Sequence, residues 1–350
     1  MASAPIKFGI LGCAKIARKL SRAIVLSGNA AIAAIGSRSL EKAVGFAREN
    51  GFPESARAYG SYAAVLDDPD VDAVYIPLPT SLHVQWAVLA ARKGKHVLLE
   101  KPVALSVSEL DVILGECESS GVQFMDTTMW MHHPRTHQMK DFLSDSTTFG
   151  QLKSVESNFS FPADKAFLEN DIRVKPDLDA LGVLGDAGWY CIRSILWAAD
   201  YDLPKSAVAL PDAVLNDAGV VLSCSAELQW QDGRAGSFRC SFLADLNMDV
   251  TILGTNGTLS VHDYVGPFQE NRATFSTHVK SGSVLEHTVT TELPQEALMV
   301  REFSRLVASI KFGAAKPEKK WPTLSRKTQA VVDAVKMSID RGYKIVDVTY

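Results

Sequence analysis

The chain has 350 residues, long enough for two ordinary hydrophobic cores. With 47% apolar and 22% charged residues it has the balance of a globular protein, which excludes a disordered or fibrous chain. A net charge of −4 leaves no basic surplus for neutralising phosphates, so nucleic acid is not expected as a partner.

Five widely spaced cysteines with no C-x-x-C pair signal neither a disulfide framework nor a zinc site, and no metal is expected. The N-terminus enters an apolar stretch at Ile6 without a basic leader, and no run approaches the roughly 20 apolar residues of a membrane span. These features predict a soluble protein of a reducing compartment, hence the cytoplasm, with no membrane partner.

From Ile6 to about Met125, short apolar runs alternate with segments of helical length. IKFGIL, AAIAAI, DAVYIP, KHVLLE and VQFM read as buried strands. Between them, one helix starts at Ser39 and ends near Gly51, and another opens at Thr80 and Ser81 and stops at Gly94. A third follows the capping box formed by Ser106 and Glu109 and ends at Gly121. This alternation predicts an α/β domain with a doubly wound parallel sheet, over residues 1–126.

After Trp130, period-two alternation takes over in KSVESNFSF, VVLSCSAELQW, AGSFRCSFL and NMDVTIL, which predicts antiparallel sheet. In the second run Leu222, Cys224, Ala226, Leu228 and Trp230 share one face, and Ser223, Ser225, Glu227 and Gln229 the other. Thr255-Asn256-Gly257-Thr258 reads as a hairpin turn. Helices around Gln295–Ile310 and Leu324–Arg341 finish a second domain, of α+β type, spanning 127–350.

The chemistry concentrates at strand ends. The first strand runs into GILGCAKIA, where Gly12 to Ala17 fill the slots of a G-x-G-x-x-G/A fingerprint with Ala14 in place of the second glycine. Backbone N–H groups around Ala14, Lys15 and Ile16, at the start of the next helix, would hold a pyrophosphate. The Ala14 methyl makes that approach less close. After the second strand, Ser37 and Arg38 stand where NAD enzymes carry an acidic residue for the ribose. A hydroxyl and a guanidinium can hydrogen-bond a 2′-phosphate that a carboxylate would repel, so NADP(H) is expected over NAD(H).

The fourth strand leads into PLPTSLH, whose two prolines bracket Leu78 and stop the sheet at its C-terminal edge. Leu78, Pro79 and Thr80 then border the cofactor, while His83 suits capping or packing as well as cofactor contact. The fifth strand ends LLEKP, placing Glu100 and Lys101 at the same edge; alone, such a lysine reads as a solvated strand end. Farther on, GDAGWY puts Asp186 and Tyr190 four residues apart, which on one helix gives them a common face.

GILGCAKIA, PLPTSLH, LLEKP and GDAGWY, in this order, resemble the glucose–fructose oxidoreductase / inositol dehydrogenase / MocA family over nearly the whole chain. The resemblance is nearest to its dimeric dihydrodiol dehydrogenase and NADP-dependent xylose dehydrogenase branch, which carries tyrosine in place of a catalytic histidine. It implies a Rossmann domain and an open-faced antiparallel sheet, with Lys101, Asp186 and Tyr190 beside the nicotinamide. Two further departures are Ala14 and Thr80, where many members have glycine and asparagine.

Tyr190 would then serve as general acid/base, with Lys101 favouring its ionised form and Asp186 orienting the substrate or the lysine. The implied substrate is a small molecule, an aldose or a cyclic trans-diol. Trp130, His132, His133 and Arg173 are further candidates for its pocket. The rival reading is a non-catalytic NADP-binding sensor of the same fold, and a bilin or imine reductase is a third. The family resemblance and the polar sheet face together predict a homodimer.

Overall fold

A computed structural model describes residues 4–280 and 282–350, which gather into two compact units. The first takes the chain up to Ala104, then Ser108–His132 and Leu293–Ser325; the second takes Leu105–Val107, His133–Glu292 and Arg326–Tyr350.

In the first unit β1 (Ile6–Leu11), β2 (Ala30–Gly36), β3 (Arg57–Tyr59), β4 (Ala73–Ile76), β5 (His96–Leu99) and β6 (Phe124–Asp126) form one sheet. Its order is β3-β2-β1-β4-β5-β6, and every pairing is parallel. The connections carry α1 (Lys15–Leu26), α2 (Leu40–Glu49), α3 (Tyr62–Asp67), α4 (His83–Arg92) and α5 (Val107–Ser119). Strands covered on both faces have no polar side to show, and accordingly Phe8, Ile10, Val74, Tyr75, Val97 and Leu98 are all fully buried. Strand order reverses between β1 and β4, the place where such sheets leave a crevice at the carboxyl ends of their strands.

The second unit opens with α6 (Pro134–Ser144), β7 (Leu152–Ser160), α7 (Lys165–Asn170) and α8 (Trp189–Ala198). The strands that follow are β8 (Ser206–Ala209), β9 (Val214–Leu215), β10 (Val221–Gln229), β11 (Ala235–Ser241), β12 (Asn247–Gly254), β13 (Gly257–Val261), β14 (Arg272–Val279) and β15 (Leu285–Thr290). With β16 (Val346–Asp347), at the chain end, they form a sheet of order β15-β14-β13-β12-β7-β11-β10-β8-β16, and β9 pairs with β10. It is antiparallel throughout except where β11 runs parallel to β7.

Helix α8 is buried along its whole length and packs on β7 and β11. The other sheet face exposes Glu156, Glu227, Gln229, Ser237 and Arg239. Ser223 and Ser225 depart from the expected polar face by being buried: Asp212 reaches over the edge to accept from the N–H of Ser225 at 3.2 Å and its hydroxyl at 2.7 Å.

The last two helices are α9 (Gln295–Gly313) and α10 (Lys320–Asp340), both longer than their sequence periods imply. Placing all of 127–350 in one domain does not match the contacts, because α9 belongs to the first unit. Its apolar stripe, Met299, Val300, Phe303 and Val307, is fully buried, with the Phe303 ring 5.9 Å from that of Phe8 on β1. At its start Glu296 pairs with Lys19 of α1 at 3.2 Å.

Candidate active site

At the end of β1 the chain turns through Gly12 with φ +116°, a conformation that L side chains rarely adopt. A Cβ there would stand 3.1 Å from Leu78 Cδ2, so only glycine keeps the cradle open. Ala14 is the N-cap of α1 and offers no side-chain hydrogen bond, so no side chain caps the first turn, which contains Lys15 and Ile16. An open glycine cradle beneath an uncapped helix start fits the pyrophosphate of a dinucleotide.

Beside it, Ser37 is buried and Arg38 exposed at the end of β2. The Cys13 thiol lies between this strand end and the glycine turn: burial pushes its pKa up, against the Ser37 hydroxyl and the Lys42 charge, which both pull it down. Tyr62, whose ring meets Trp86 edge-on at 5.0 Å, lies close enough to Arg38 for the cation to offset part of the rise that burial gives its phenol.

The strand-end loops are tied together from beneath. His83 is fully buried; its Nε2 lies 2.9 Å from the carbonyl oxygen of Leu78 and its Nδ1 3.1 Å from that of Val103. The ring therefore lies between the PLP loop and the segment just past EKP, against one carbonyl from each. Glu100 is also buried, and its carboxylate accepts from Tyr75 Oη at 2.5 Å, Thr127 Oγ1 at 2.7 Å and the Lys101 backbone N–H at 3.2 Å. It anchors the backbone that carries Lys101, whose own side chain is half-buried.

In the second unit Asp186 does not share a regular α-helix with Tyr190, contrary to the simple spacing argument. Leu184–Gly188 form a π-helical turn, and α8 begins only at Trp189. Such widened turns are frequent at functional sites. Gly188 permits the close packing here, since a Cβ on it would meet Leu184 Cδ1 at 3.0 Å and Cys240 Sγ at 3.3 Å. Arg173, read from sequence only as a pocket candidate, is the residue that holds Asp186, with Nε 3.1 Å from Oδ1; its Nη1 lies 3.0 Å from Asp171 Oδ1. The Asp186 charge, opposed by burial and joined by Asp171, raises the guanidinium pKa further. Tyr190 is 7% exposed, its ring edge-on to Phe159 at 5.8 Å.

The remaining pocket candidates of the sequence sit as follows. Trp130 is buried, and His132 stacks on Trp321 with ring centroids 4.6 Å apart. His133 caps α6, its Nδ1 accepting from the Arg135 N–H at 3.0 Å, and burial pushes its pKa down to about 4. No sequence period announces these partners, because each pairing depends on the tertiary fold.

A parallel sheet in this order, with a glycine cradle at its switch point, is the architecture of a dinucleotide-binding domain, and the comparisons with known proteins place it in an oxidoreductase family. A family model described as "Oxidoreductase family, NAD-binding Rossmann fold" matches residues 6–128, and the GFO/IDH/MocA C-terminal domain matches 137–260. The chain belongs to the Gfo/Idh/MocA family.

It is 35% identical over 261 residues to a D-xylose 1-dehydrogenase (NADP(+)) of Haloferax volcanii, covering 73% of this chain and 75% of that one. To the trans-1,2-dihydrobenzene-1,2-diol dehydrogenase of Sus scrofa it is 30% identical, over 66% of each chain. The crystal structure of a 3-ketoreductase from Actinomadura kijaniata, in complex with NADP and TDP-benzene, superposes with TM-score 0.82 at 27% identity, covering 95% and 97% of the two chains. That protein has also been solved as tyrosine-to-phenylalanine and lysine-to-alanine variants. The chain is an oxidoreductase of this family.

Proposed function

We propose that this enzyme moves hydride between NADP(H) and the alcohol or carbonyl carbon of an aldose or a cyclic trans-diol, with Tyr190 as general acid/base and Lys101 as the charge that assists it. The bound nicotinamide supplies or receives the hydride. The protein's task is the proton on the substrate oxygen. Tyr190 gives or takes it, and a positive charge from Lys101 favours the ionised phenol when the tyrosine acts as base.

The observation that carries this reading is the π-turn, which spends an irregular backbone and an arginine on presenting Asp186 four residues before Tyr190. Asp186 is proposed to orient a substrate hydroxyl. Gly12, Ala14, Lys15 and Ile16 hold the pyrophosphate; Ser37 and Arg38 the 2′-phosphate; Leu78, Pro79 and Thr80 line the nicotinamide side; and Glu100 and His83 position Lys101 and its loop. The exposed polar face of the large sheet is proposed to pair two copies as a homodimer, and the enzyme to work in the cytoplasm.

A panel of aldoses and cyclic trans-diols, followed by the absorbance of reduced nicotinamide, tests the substrate class. Turnover on at least one member is expected. Tight NADP binding with no turnover on any member would point to the sensor instead.

A further inference from the structure

Aromatic rings gather where β7 and β11 end, and part of their surface stays open. The Ser157 hydroxyl accepts from that of Ser194 on α8 at 2.9 Å, so the face of β7 that carries Val155, Ser157 and Phe159 lies against α8. Phe161 continues that alternation past the strand end, its N–H donating to the Ser241 carbonyl oxygen at 3.0 Å. The Phe159 ring, already edge-on to Tyr190, stands 6.1 Å from that of Phe161, which lies 5.8 Å from Phe167. Both outer rings rest 5.1 Å from Phe242.

Phe242 is fully buried and backs the cluster, whereas Phe159, Phe161 and Phe167 are each only half-buried. Helix α7 carries Phe167 and buries none of its own residues; the Asp164 carboxylate caps it by accepting from the Phe167 N–H at 2.7 Å. The turn after β11 adds open apolar surface. Ser160 Oγ donates to the Asp245 carbonyl oxygen at 2.6 Å, and Leu243 and Leu246, on either side of Asp245, are 46% and 55% exposed. Single exposed apolar side chains are ordinary, but a run of them joined ring to ring to the proposed catalytic tyrosine marks a surface for a ligand.

We propose that Phe161 and Phe167 form an outer subsite for an aryl group carried by the substrate, on the side of its ring away from the carbon that exchanges hydride. Interplanar angles of 77° between Phe159 and Tyr190 and 87° between Phe161 and Phe167 present ring edges and faces in turn, a pattern that a further aromatic ring extends. A small aldose or an unsubstituted cyclic diol at Tyr190 and Asp186 stops short of these two rings, and an aryl substituent covers them. The inference rests on the reading of Tyr190 as the group that meets the reacting oxygen. It narrows the substrate class to cyclic diols that bear an aryl group and their carbonyl counterparts.

The test is isothermal titration calorimetry on enzyme saturated with NADPH, a dead-end complex in which an alcohol binds without turnover. The probes are trans-cyclohexane-1,2-diol and its 4-phenyl derivative, and the proteins are the parent, Phe167→Ala and Phe167→Leu. The parent should bind the phenyl diol about tenfold more tightly than the plain one. Phe167→Ala should abolish that gap and leave the dissociation constant of the plain diol within about twofold of the parent. Phe167→Leu keeps an apolar anchor for α7 and should still lose most of the gap. No gap in the parent, or a gap that survives both substitutions, overturns the subsite while leaving Tyr190 in place. Equal weakening of both diols makes Phe167 a structural residue, and a mass by light scattering that falls on substitution makes the patch an interface between copies; either result overturns the subsite too. A parent that binds neither diol removes the substrate reading on which the subsite rests.

Discussion

Two buried carboxylates, one in each unit, are held in opposite ways. Glu100, at the end of β5, is satisfied by neutral donors from its own sheet: a phenol on β4, a hydroxyl just past β6 and the next backbone N–H. Asp186, in the π-turn, is held by the guanidinium of Arg173, from a separate loop. The difference separates a scaffold from a poised group. Neutral hydrogen bonds fix Glu100 without adding a charge, whereas Asp186 is set against a guanidinium beside the helix that carries Tyr190.

If this contrast is right, the largest effect of breaking the first region falls on turnover and not on folding. Lys101→Met should lower kcat by about 10²–10⁴-fold, because Glu100 still anchors the backbone while the charge is gone. Steady-state kinetics together with an unchanged melting temperature would show it.

Acid sharpens the comparison, since each unit holds a buried histidine whose pKa is pushed down. Burial, the larger cause in both cases, pushes His96 and His133 down to about 4 from an ordinary 6.5. Between those values the unfolded imidazole takes a proton that the folded one refuses. Stability is therefore lost as pH falls from 6.5 toward 4, by on the order of 3 kcal/mol per histidine. His133→Asn keeps a cap acceptor and removes the titration, so urea unfolding across this range should show a flatter pH dependence.

Arg173→Met breaks the second region by removing the ion pair to the buried Asp186. With 35% of the Arg173 side chain in solvent, the loss should be about 2–3 kcal/mol, less than for a fully buried pair. Chemical denaturation measures it, and Arg173→Lys should recover only part, because one ammonium cannot bridge Asp171 and Asp186 as a fork does. The smallest effect is expected at Arg38→Ala, which should narrow the preference for NADP+ over NAD+ about tenfold in a fluorescence titration.

The two regions also differ in how much of them the sequence discloses. The sheet edge is legible because strand order and glycine chemistry are local: Gly12, Ser37 with Arg38, Leu78 and Lys101 each follow a recognisable strand. What Glu100 and His83 do there is not legible, since both act through groups on neighbouring segments. In the second unit Tyr190 and Asp186 stand out by spacing and by family resemblance, yet the π-turn and the grip of Arg173 arise from packing that no period encodes. The same holds for α9, whose amphipathic pattern predicts a helix without saying which core it joins. β3 and β16, three and two residues long, are too short to carry any pattern.

The proton donor is the centre of the account, and Tyr190→Phe tests it most directly, because the ring and its contact with Phe159 survive while the hydroxyl does not. With a substrate found by the panel, kcat should fall about 10²–10⁴-fold while the NADP+ dissociation constant stays at the parental value. Near-parental turnover in Tyr190→Phe would contradict the assignment and move the proton to another group.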